Sequence, residues 1–585
     1  MMTRRIVLVL TLAAALLAGP PLAVAQAPSA ATAPSTTLAP AQTATGRNGM
    51  VASQDALATR VGVDVLRRGG NAVDAAVAVG FALAATMPRA GNLGGGGFMV
   101  IHLADGRNTT IDYRESAPAA TARDTFLDAQ GNADPQKSRF GGLAVGVPGT
   151  VAGLALALER YGSGRFTLAQ LIAPAIRYAR EGVPVENDLL DSLLLAAPRL
   201  ARFPSSAKIF LNADGSPLAE GSILVQRDLA ASLQTIADQG PRGFYEGPIA
   251  QRIAASVRAA GGMMTDDDLK AYRAVERAPL VGTYRGNTVV AMPPPSSGGD
   301  VLIEMLNILE GFPLGSAALP YQSPQALHLM IEAMKLAYAD RAEFLGDSDA
   351  VPVPLDRLLA KDYAARLRGE VDPARAKGAR ELRPGSPAAG GGSGGNTTHF
   401  SVADRFGNAV ANTYSLNFNY GVGLVAEGTG ILLNNTLDDF AAKPGAPNAF
   451  GLVGGLANAP GPGKRPLSSM TPTIVLRDGR PWIVTGAPGG SRIITAVLQV
   501  ILNVIDFKQG IGDAVAAPRV HNQWLPDEVV VERTLPAETV RALETLGDTV
   551  RVGPPSGAAH SIVATPEGFV GAADGRARGA LAEGD

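Results

Sequence analysis

Apolar and polar positions along the chain fall into two textures that meet near residue 396. Residues 56–68 and 72–85 carry apolar side chains at helical spacing, with Gly69-Gly70-Asn71 as a stop and restart between them. After the glycine run "GNLGGGGF" (91–98), residues 99–103 and 109–113 are expected as strands of a hairpin around Asp105-Gly106. Helical spacing dominates from about 149 to 347, interrupted by Pro/Gly turns such as "MPPPSSGG" (292–299). The clearest linker is the Pro-, Ser- and Gly-rich stretch 384–395. Beyond it the period shortens to two, and 400–404, 409–414, 473–476 and 482–485 are expected as sheet strands, followed by a long apolar helix over 491–507. The two textures need not be two domains, because strands on both sides of the linker can share one sheet.

The first residues change the picture of the chain's start. Met1 to Arg5 are basic, 6–17 is a short apolar run, and Ala23-Val24-Ala25 has the small-x-small form of a signal-peptidase site. A signal peptide is expected over 1–25, cut after Ala25, which places the mature protein in the periplasm or the medium. The apolar run is short for a bilayer, and no later segment reaches the roughly 18 uninterrupted apolar residues of a spanning helix. With no cysteine for lipid attachment, no stable membrane anchor is expected. Residues 26–47, rich in Ala, Pro, Ser and Thr, are expected to be a disordered lead-in. The rest divides into 48–396, mostly helical with some strands, and 397–585.

Composition excludes several function classes. Charged residues are 18% of the chain and the formal net charge is -2, so nothing argues for a nucleic-acid partner. Zero Cys removes disulfides, a thiol nucleophile and thiolate metal sites together. The five histidines, His102, His328, His399, His521 and His560, show no metal-ligand spacing and no H-E-x-x-H, so structural or surface roles are expected for each. Residues 391–395 match G-x-S-x-G and 390–395 match G-x-G-x-x-G. Both matches lie in low-complexity linker without a preceding strand, the wrong context for either motif.

Threonine remains. A Thr hydroxyl is a weak nucleophile, but a Thr at a chain terminus has a base in its own α-amino group, whose pKa of about 7.7–8.0 leaves much of it neutral near pH 7–8. In "GGGSGGNTTHFSVAD" (390–404) a glycine tether precedes Asn396-Thr397, so cleavage before Thr397 would create such a terminus. On these residues alone the plainer reading, a flexible surface loop ahead of a β-prone Thr-Thr pair, is favoured.

The surrounding words alter that balance. "TTHFSVADRFGNAVANTYSLN" (397–417), "GILLNNTLDDF" (430–440), "KRPLSSMTPTIV" (464–475) and "GAPGGSRI" (486–493) resemble the small subunit of the γ-glutamyltranspeptidase family. "GGNAVDAAVAV", "AGNLGGGGFM" and "DYRESAP" resemble its large subunit, so the likeness runs from about 49 to about 576. The resemblance implies an α+β fold, the four-layer αββα sandwich of N-terminal-nucleophile hydrolases, built from two subunits cut from one precursor. It implies self-cleavage between Asn396 and Thr397, giving 26–396 and 397–585 as one heterodimer. It further implies γ-glutamyl transfer and hydrolysis of glutathione and related amides through an ester on Thr397, with water, an amino acid or a dipeptide as acceptor. No metal or organic cofactor is implied.

Carried over by position, Ser415 and Asn417 flank the nucleophile, and Gly489 and Gly490 offer N–H groups to an oxyanion. Arg114, Ser468 and Ser469 take the substrate α-carboxylate, and Asp439 takes its α-ammonium. Ser415 keeps the hydroxyl of the family's frequent Thr. Two departures stand out. Thr436 occupies a position commonly Gln or Glu near the ammonium, and has a shorter reach. Residues 441–458 resemble a lid in which Phe450 replaces a familiar Tyr. The rival functions are a cephalosporin (glutaryl) acylase on the same scaffold and an unprocessed, inactive homologue acting as a binding protein. If Phe450 costs the lid a hydroxyl bond to Asn417, the lid opens more readily to water. Phe450→Tyr is then expected to raise the ratio of transfer to hydrolysis, and an unchanged ratio rejects that account of the lid.

Overall fold

The computed structural model describes residues 38–382 and 397–585. The expected signal peptide, most of the lead-in, the glycine-rich linker and Asn396 lie outside the described residues.

Two seven-stranded antiparallel sheets face each other. The first runs Leu581–Gly584, Gly49–Ser53, Thr397–Asp404, Ala409–Ser415, Gly96–His102, Asn108–Tyr113, Val275–Arg277. The second runs Gln42–Gly46, Gly568–Ala573, His560–Thr565, Arg480–Thr485, Thr473–Arg477, Asn287–Ala291, Leu280–Tyr284. Helices Ala56–Arg67 and Ala72–Thr86 cover the outer face of the first sheet, and Gly298–Leu309 and Arg492–Ile505 cover that of the second. This is the αββα sandwich, and strands from both sides of the linker interleave in each sheet.

Alternation along Thr397–Asp404 explains how the layers hold. Phe400 and Val402 point into the helical layer, while Ala403 joins the core between the sheets. All eight residues are buried, and burying a Phe or Val side chain contributes about 1.5–3 kcal/mol. Helix Ala72–Thr86 is buried all round, and its small side chains allow close approach to the sheet. Its carbonyl at Gly80 accepts from the Tyr414 hydroxyl at 2.9 Å. At the far end of the strand, Asp404 accepts from the Ala72 N–H at 2.7 Å, tying the strand to the N-terminus of that helix.

Three departures from expectation have simple causes. Residues Gln42–Gly46, expected within the disordered lead-in, form an edge strand on Gly568–Ala573. Its Ala/Thr pattern has little apolar signal because the strand is held by backbone pairing and stays half exposed. Val275–Arg277, Leu280–Tyr284 and Asn287–Ala291 are strands inside the stretch expected to be helical. At three to five residues each, they are too short for a period to emerge. The terminal strand Leu581–Gly584 escaped notice for the same reason.

A polar seam runs between the sheets. Ser401 Oγ donates to the His560 carbonyl at 2.8 Å, so it accepts from His399 Nε2–H at 3.0 Å, which leaves His399 Nδ1 to accept from Thr413 Oγ1 at 2.8 Å. Gly486 admits the ring, since a Cβ there would lie 2.3 Å from it. All five histidines are buried. Burial holds His399 well below its ordinary pKa, His560 down to about 4 and His521 down to about 3. Unfolding restores these histidines to about 6.5, so the unfolded chain binds more protons below that pH. The contribution of these three histidines to stability is therefore expected to fall as pH drops from about 6.5 towards 4, by up to roughly 1.4 kcal/mol per pH unit for each, while Asp300, pushed up to about 7 by burial, opposes it. Denaturant midpoints of the wild type and of His521→Gln at pH 8 and pH 5 check the histidine part, and a difference between the two proteins that does not change with pH contradicts it.

Candidate active site

Thr397 opens its strand and pairs with Ser415 across the sheet. The neighbouring strand Gly49–Ser53 reaches only to Phe400, so the first three residues are paired on one side alone. A pocket partly open to solvent lies beside Thr397. Its lining brings together Arg114, Thr397, Ser415, Asn417, Asp439, Phe450, Ser468, Ser469 and Gly490, with Met470 and Ile493. Residues separated by hundreds of positions meet there because the sheets and the 436–470 region converge at the strand's start.

The electrostatics of the cavity are sharply divided. Arg114 is 1% exposed, and its guanidinium donates to Pro466 O at 3.1 Å and to Asp439 Oδ2 at 2.5 Å. Burial pushes the Asp439 carboxyl above its usual range, against the opposing pull of Arg114. Asp438 next to it faces away, accepting from Ser138 Oγ at 2.6 Å, Arg139 Nε at 2.9 Å and the Ala449 N–H at 2.8 Å. The tight 3-10 turn Thr436–Asp439 separates the two acids, one to the cavity and one to the scaffold.

The hydroxyls are oriented by what they accept. Ser468 Oγ takes the Met470 N–H at 3.1 Å, and Ser469 Oγ takes Arg341 Nη2 at 3.3 Å. With those lone pairs engaged, each O–H proton can point into the cavity as a donor. Arg341 also donates to Ser297 Oγ at 2.9 Å, and Ser297 Oγ donates to the Ser468 carbonyl at 2.7 Å. Ser415 Oγ accepts from the Asn417 N–H at 2.7 Å, and Asn417 Nδ2 donates to Asn435 O at 2.9 Å. Asn417 holds the left-handed φ of 75°, a conformation asparagine tolerates.

Gly490 has φ 59° and Gly489 φ 136°, both in the region that favours glycine. Among the described residues, neither N–H donates to a backbone carbonyl. Gly490 lines the cavity, whereas Gly489 stands one residue behind it. Thr436 is also set back. Its hydroxyl donates to Glu115 Oε1 at 2.7 Å. Glu115 is fully buried, and burial raises its pKa against the pull of Arg114.

Residues 58–584 match the family described as Gamma-glutamyltranspeptidase. The chain belongs to that family. It is 51% identical over 531 residues to the glutathione hydrolase proenzyme of Escherichia coli (strain K12), covering 91% of this chain and 90% of that protein. Among solved structures it is similar to the cephalosporin acylase from Bacillus halodurans, with a TM-score of 0.81 and 28% identity over 96% of this chain and 99% of that one. It is also similar to the Helicobacter pylori gamma-glutamyltranspeptidase, with a TM-score of 0.55 and 44% identity, covering 56% of this chain and 93% of that one. The fold is that of the N-terminal-nucleophile hydrolases.

Phe450 lines the cavity, packs edge-on to Phe418 at 6.3 Å between centroids, and is 8% exposed. Asn448 Oδ1 accepts from the Phe450 N–H at 3.0 Å, and the Phe450 carbonyl accepts from Gln523 Nε2 at 3.1 Å. Sequence reasoning singled out neither Arg341 nor Glu115, nor the pair Asn434-Asn435 that braces Asn417 and Gly94. The one available signal was two adjacent asparagines inside the apolar word "GILLNNTL". A Cβ on Gly490 would lie 2.7 Å from the Phe450 ring. Gly490→Ala is therefore expected to displace Phe450 and lower stability by about 1–3 kcal/mol. Faster chymotryptic cleavage after Phe450, with a lower melting temperature, checks this.

Proposed function

We infer that this protein cleaves itself between Asn396 and Thr397 and then transfers γ-glutamyl groups, to water as a glutathione hydrolase and to amines as a transpeptidase. One observation carries the reading: Arg114 and Asp439, opposite charges 2.5 Å apart, line the same small cavity as Thr397. That pair is the electrostatic complement of an α-amino acid head group. A γ-glutamyl donor brings an α-carboxylate for Arg114, Ser468 and Ser469 and an α-ammonium for Asp439, replacing the internal ion pair with two external ones. Its side-chain carbonyl then extends towards Thr397.

In maturation, Thr397 Oγ attacks the Asn396 carbonyl, and water hydrolyses the resulting ester to free the Thr397 amine. In turnover that amine takes the Oγ proton as Oγ attacks the γ-carbonyl. The oxyanion is received by the Gly489 and Gly490 N–H groups. The proton passes to the departing amine, leaving a γ-glutamyl ester on Thr397. Ser415 and Asn417 hold the nucleophile's surroundings. Water or the amine of an amino acid or dipeptide resolves the ester. The fragments 26–396 and 397–585 stay together because their strands alternate in both sheets. The signal-peptide pattern at 1–25 supports export to the periplasm or the medium.

The acylase rival has weaker support. A glutaryl group lacks the ammonium that Asp439 answers, and Thr436, whose short reach favoured that rival, points to Glu115 instead. A denaturing gel of purified protein is expected to show two bands, the smaller beginning at Thr397, and Thr397→Ala one. The processed enzyme is expected to turn over a γ-glutamyl anilide at least about 100-fold faster than a glutaryl anilide, on the order of an ion pair's worth of binding. A single wild-type band would falsify the self-processing, and a preference for the glutaryl anilide would favour the acylase.

A further inference from the structure

Arg341 lies near the end of helix Pro324–Phe344 and is 4% exposed. Its guanidinium donates through Nε to Ser297 Oγ at 2.9 Å and through Nη2 to Ser469 Oγ at 3.3 Å. Both acceptors are neutral hydroxyls. Arg114 has Asp439 beside it and Glu115 at 3.7 Å, whereas among the described residues Arg341 has no carboxylate at ion-pair distance. Burial presses the pKa of Arg341 down, and Asp439 acts against that only from farther away. A buried guanidinium without a counter-ion is costly, and an anion arriving nearby would offset that cost.

The hydroxyl that Arg341 holds belongs to the pocket beside Thr397. Ser469 lines that pocket together with Ser468, Arg114 and Asp439. Ser297 stands behind the serine pair, donating to the Ser468 carbonyl from its hydroxyl at 2.7 Å and from its N–H at 2.8 Å. The Ser468 N–H in turn donates to Pro295 O at 2.8 Å. Arg341 thus joins the 295–297 segment to the serine pair and sits one hydroxyl behind the pocket wall. With Nη2 3.3 Å from Ser469 Oγ, an anion bonded to that hydroxyl at ~2.7 Å would lie at most ~6 Å from the guanidinium nitrogen. Over that distance a charge acts far more strongly inside a protein than in water. A hydroxyl that accepts from a cation is also a stronger donor.

We propose that Arg341 is a positioning residue for the donor, aiming the Ser469 hydroxyl and adding a positive charge behind it, so that acyl groups bearing an α-carboxylate are selected over those without one. The proposal rests on the γ-glutamyl transfer inferred above. Arg341 touches no reacting atom and acts through Ser469. Its N–H occupies a lone pair of that oxygen, which leaves the serine proton to the carboxylate. Arg114 must release Asp439 before it can take a carboxylate fully. The charge of Arg341 is uncommitted before the donor binds and needs no such exchange. The same charge repels an ammonium, so a zwitterionic head group is turned with its carboxylate to the serine pair and its ammonium towards Asp439. One buried charge therefore sets both the affinity for the head group and its orientation. Tyr338, three residues earlier on the same helix, donates instead to the Ser491 carbonyl and carries no charge.

The test compares two donors on one enzyme preparation at pH 8: γ-glutamyl-p-nitroanilide, and 4-aminobutyryl-p-nitroanilide, which keeps the ammonium and lacks the α-carboxylate. Wild-type enzyme is expected to favour the γ-glutamyl donor in kcat/KM by about 100-fold or more. In Arg341→Gln that ratio is expected to fall about ten-fold or more, through a higher KM for the γ-glutamyl donor, while 4-aminobutyryl turnover changes by less than about two-fold. Arg341→Lys keeps the charge without the two-pronged grip and is expected to recover most of the ratio. Tyr338→Phe disturbs the same helix and is expected to leave the ratio at the wild-type value. A general loss of folded or processed protein lowers both donors together and cancels. If Arg341→Gln does not accumulate, Arg341→Met decides in the same way, since an apolar side chain of similar length often replaces a buried charge without loss of the fold. Equal loss at both donors, or an Arg341→Lys ratio no better than that of the neutral variant, overturns the proposal. Absence of nitroaniline release from the γ-glutamyl donor by wild-type enzyme would instead reject the γ-glutamyl reading beneath it.

Discussion

Strand Thr397–Asp404 is hydrogen-bonded on one flank to Ala409–Ser415 and on the other to Gly49–Ser53, and Asp404 is tied to the helix starting at Ala72. Everything at the site hangs from that anchoring. The outer strand stops at Phe400, so Thr397 to His399 are paired on one side alone and Thr397 borders the pocket. A cut ahead of Thr397 leaves the pairing from Thr398 onward in place. Pairing of this strand with Gly49–Ser53 joins the two sides of the candidate cleavage point.

The rest of the cavity follows from burying unlike charges together. Arg114 and Asp439 are stable without ligand because each answers the other, and Arg114 is further satisfied by Pro466. Behind them stands a ring of polar groups whose work is orientation. Arg341 and Met470 occupy the acceptor lone pairs of Ser469 and Ser468, Asn435 holds Asn417, and Thr436 satisfies part of Glu115.

Much of this was legible in the sequence wherever the pattern was long or the chemistry distinctive. Helices Ala56–Arg67 and Ala72–Thr86 and the strands around 397–415 have enough periodic residues to declare themselves. Thr397, Arg114, Asp439, Ser468, Ser469 and Gly490 were found through words resembling a family. Short strands such as Val275–Arg277 and the edge strand Gln42–Gly46 were not, because three to five residues carry almost no period and an edge strand needs no apolar face.

The sequence by itself determined the inventory: no cysteine, few histidines, a glycine tether ahead of Asn396-Thr397, and a set of ordered motifs. It could not say which way any side chain faces. The 3-10 turn sends Asp439 to the cavity and Asp438 to the scaffold, though the two are adjacent and chemically identical. Thr436 turns from the cavity to Glu115, and Gly490, not Gly489, meets Phe450. Those outcomes depend on backbone dihedrals and on neighbours hundreds of residues away. Only the packing of the two sheets brings those neighbours within hydrogen-bonding reach.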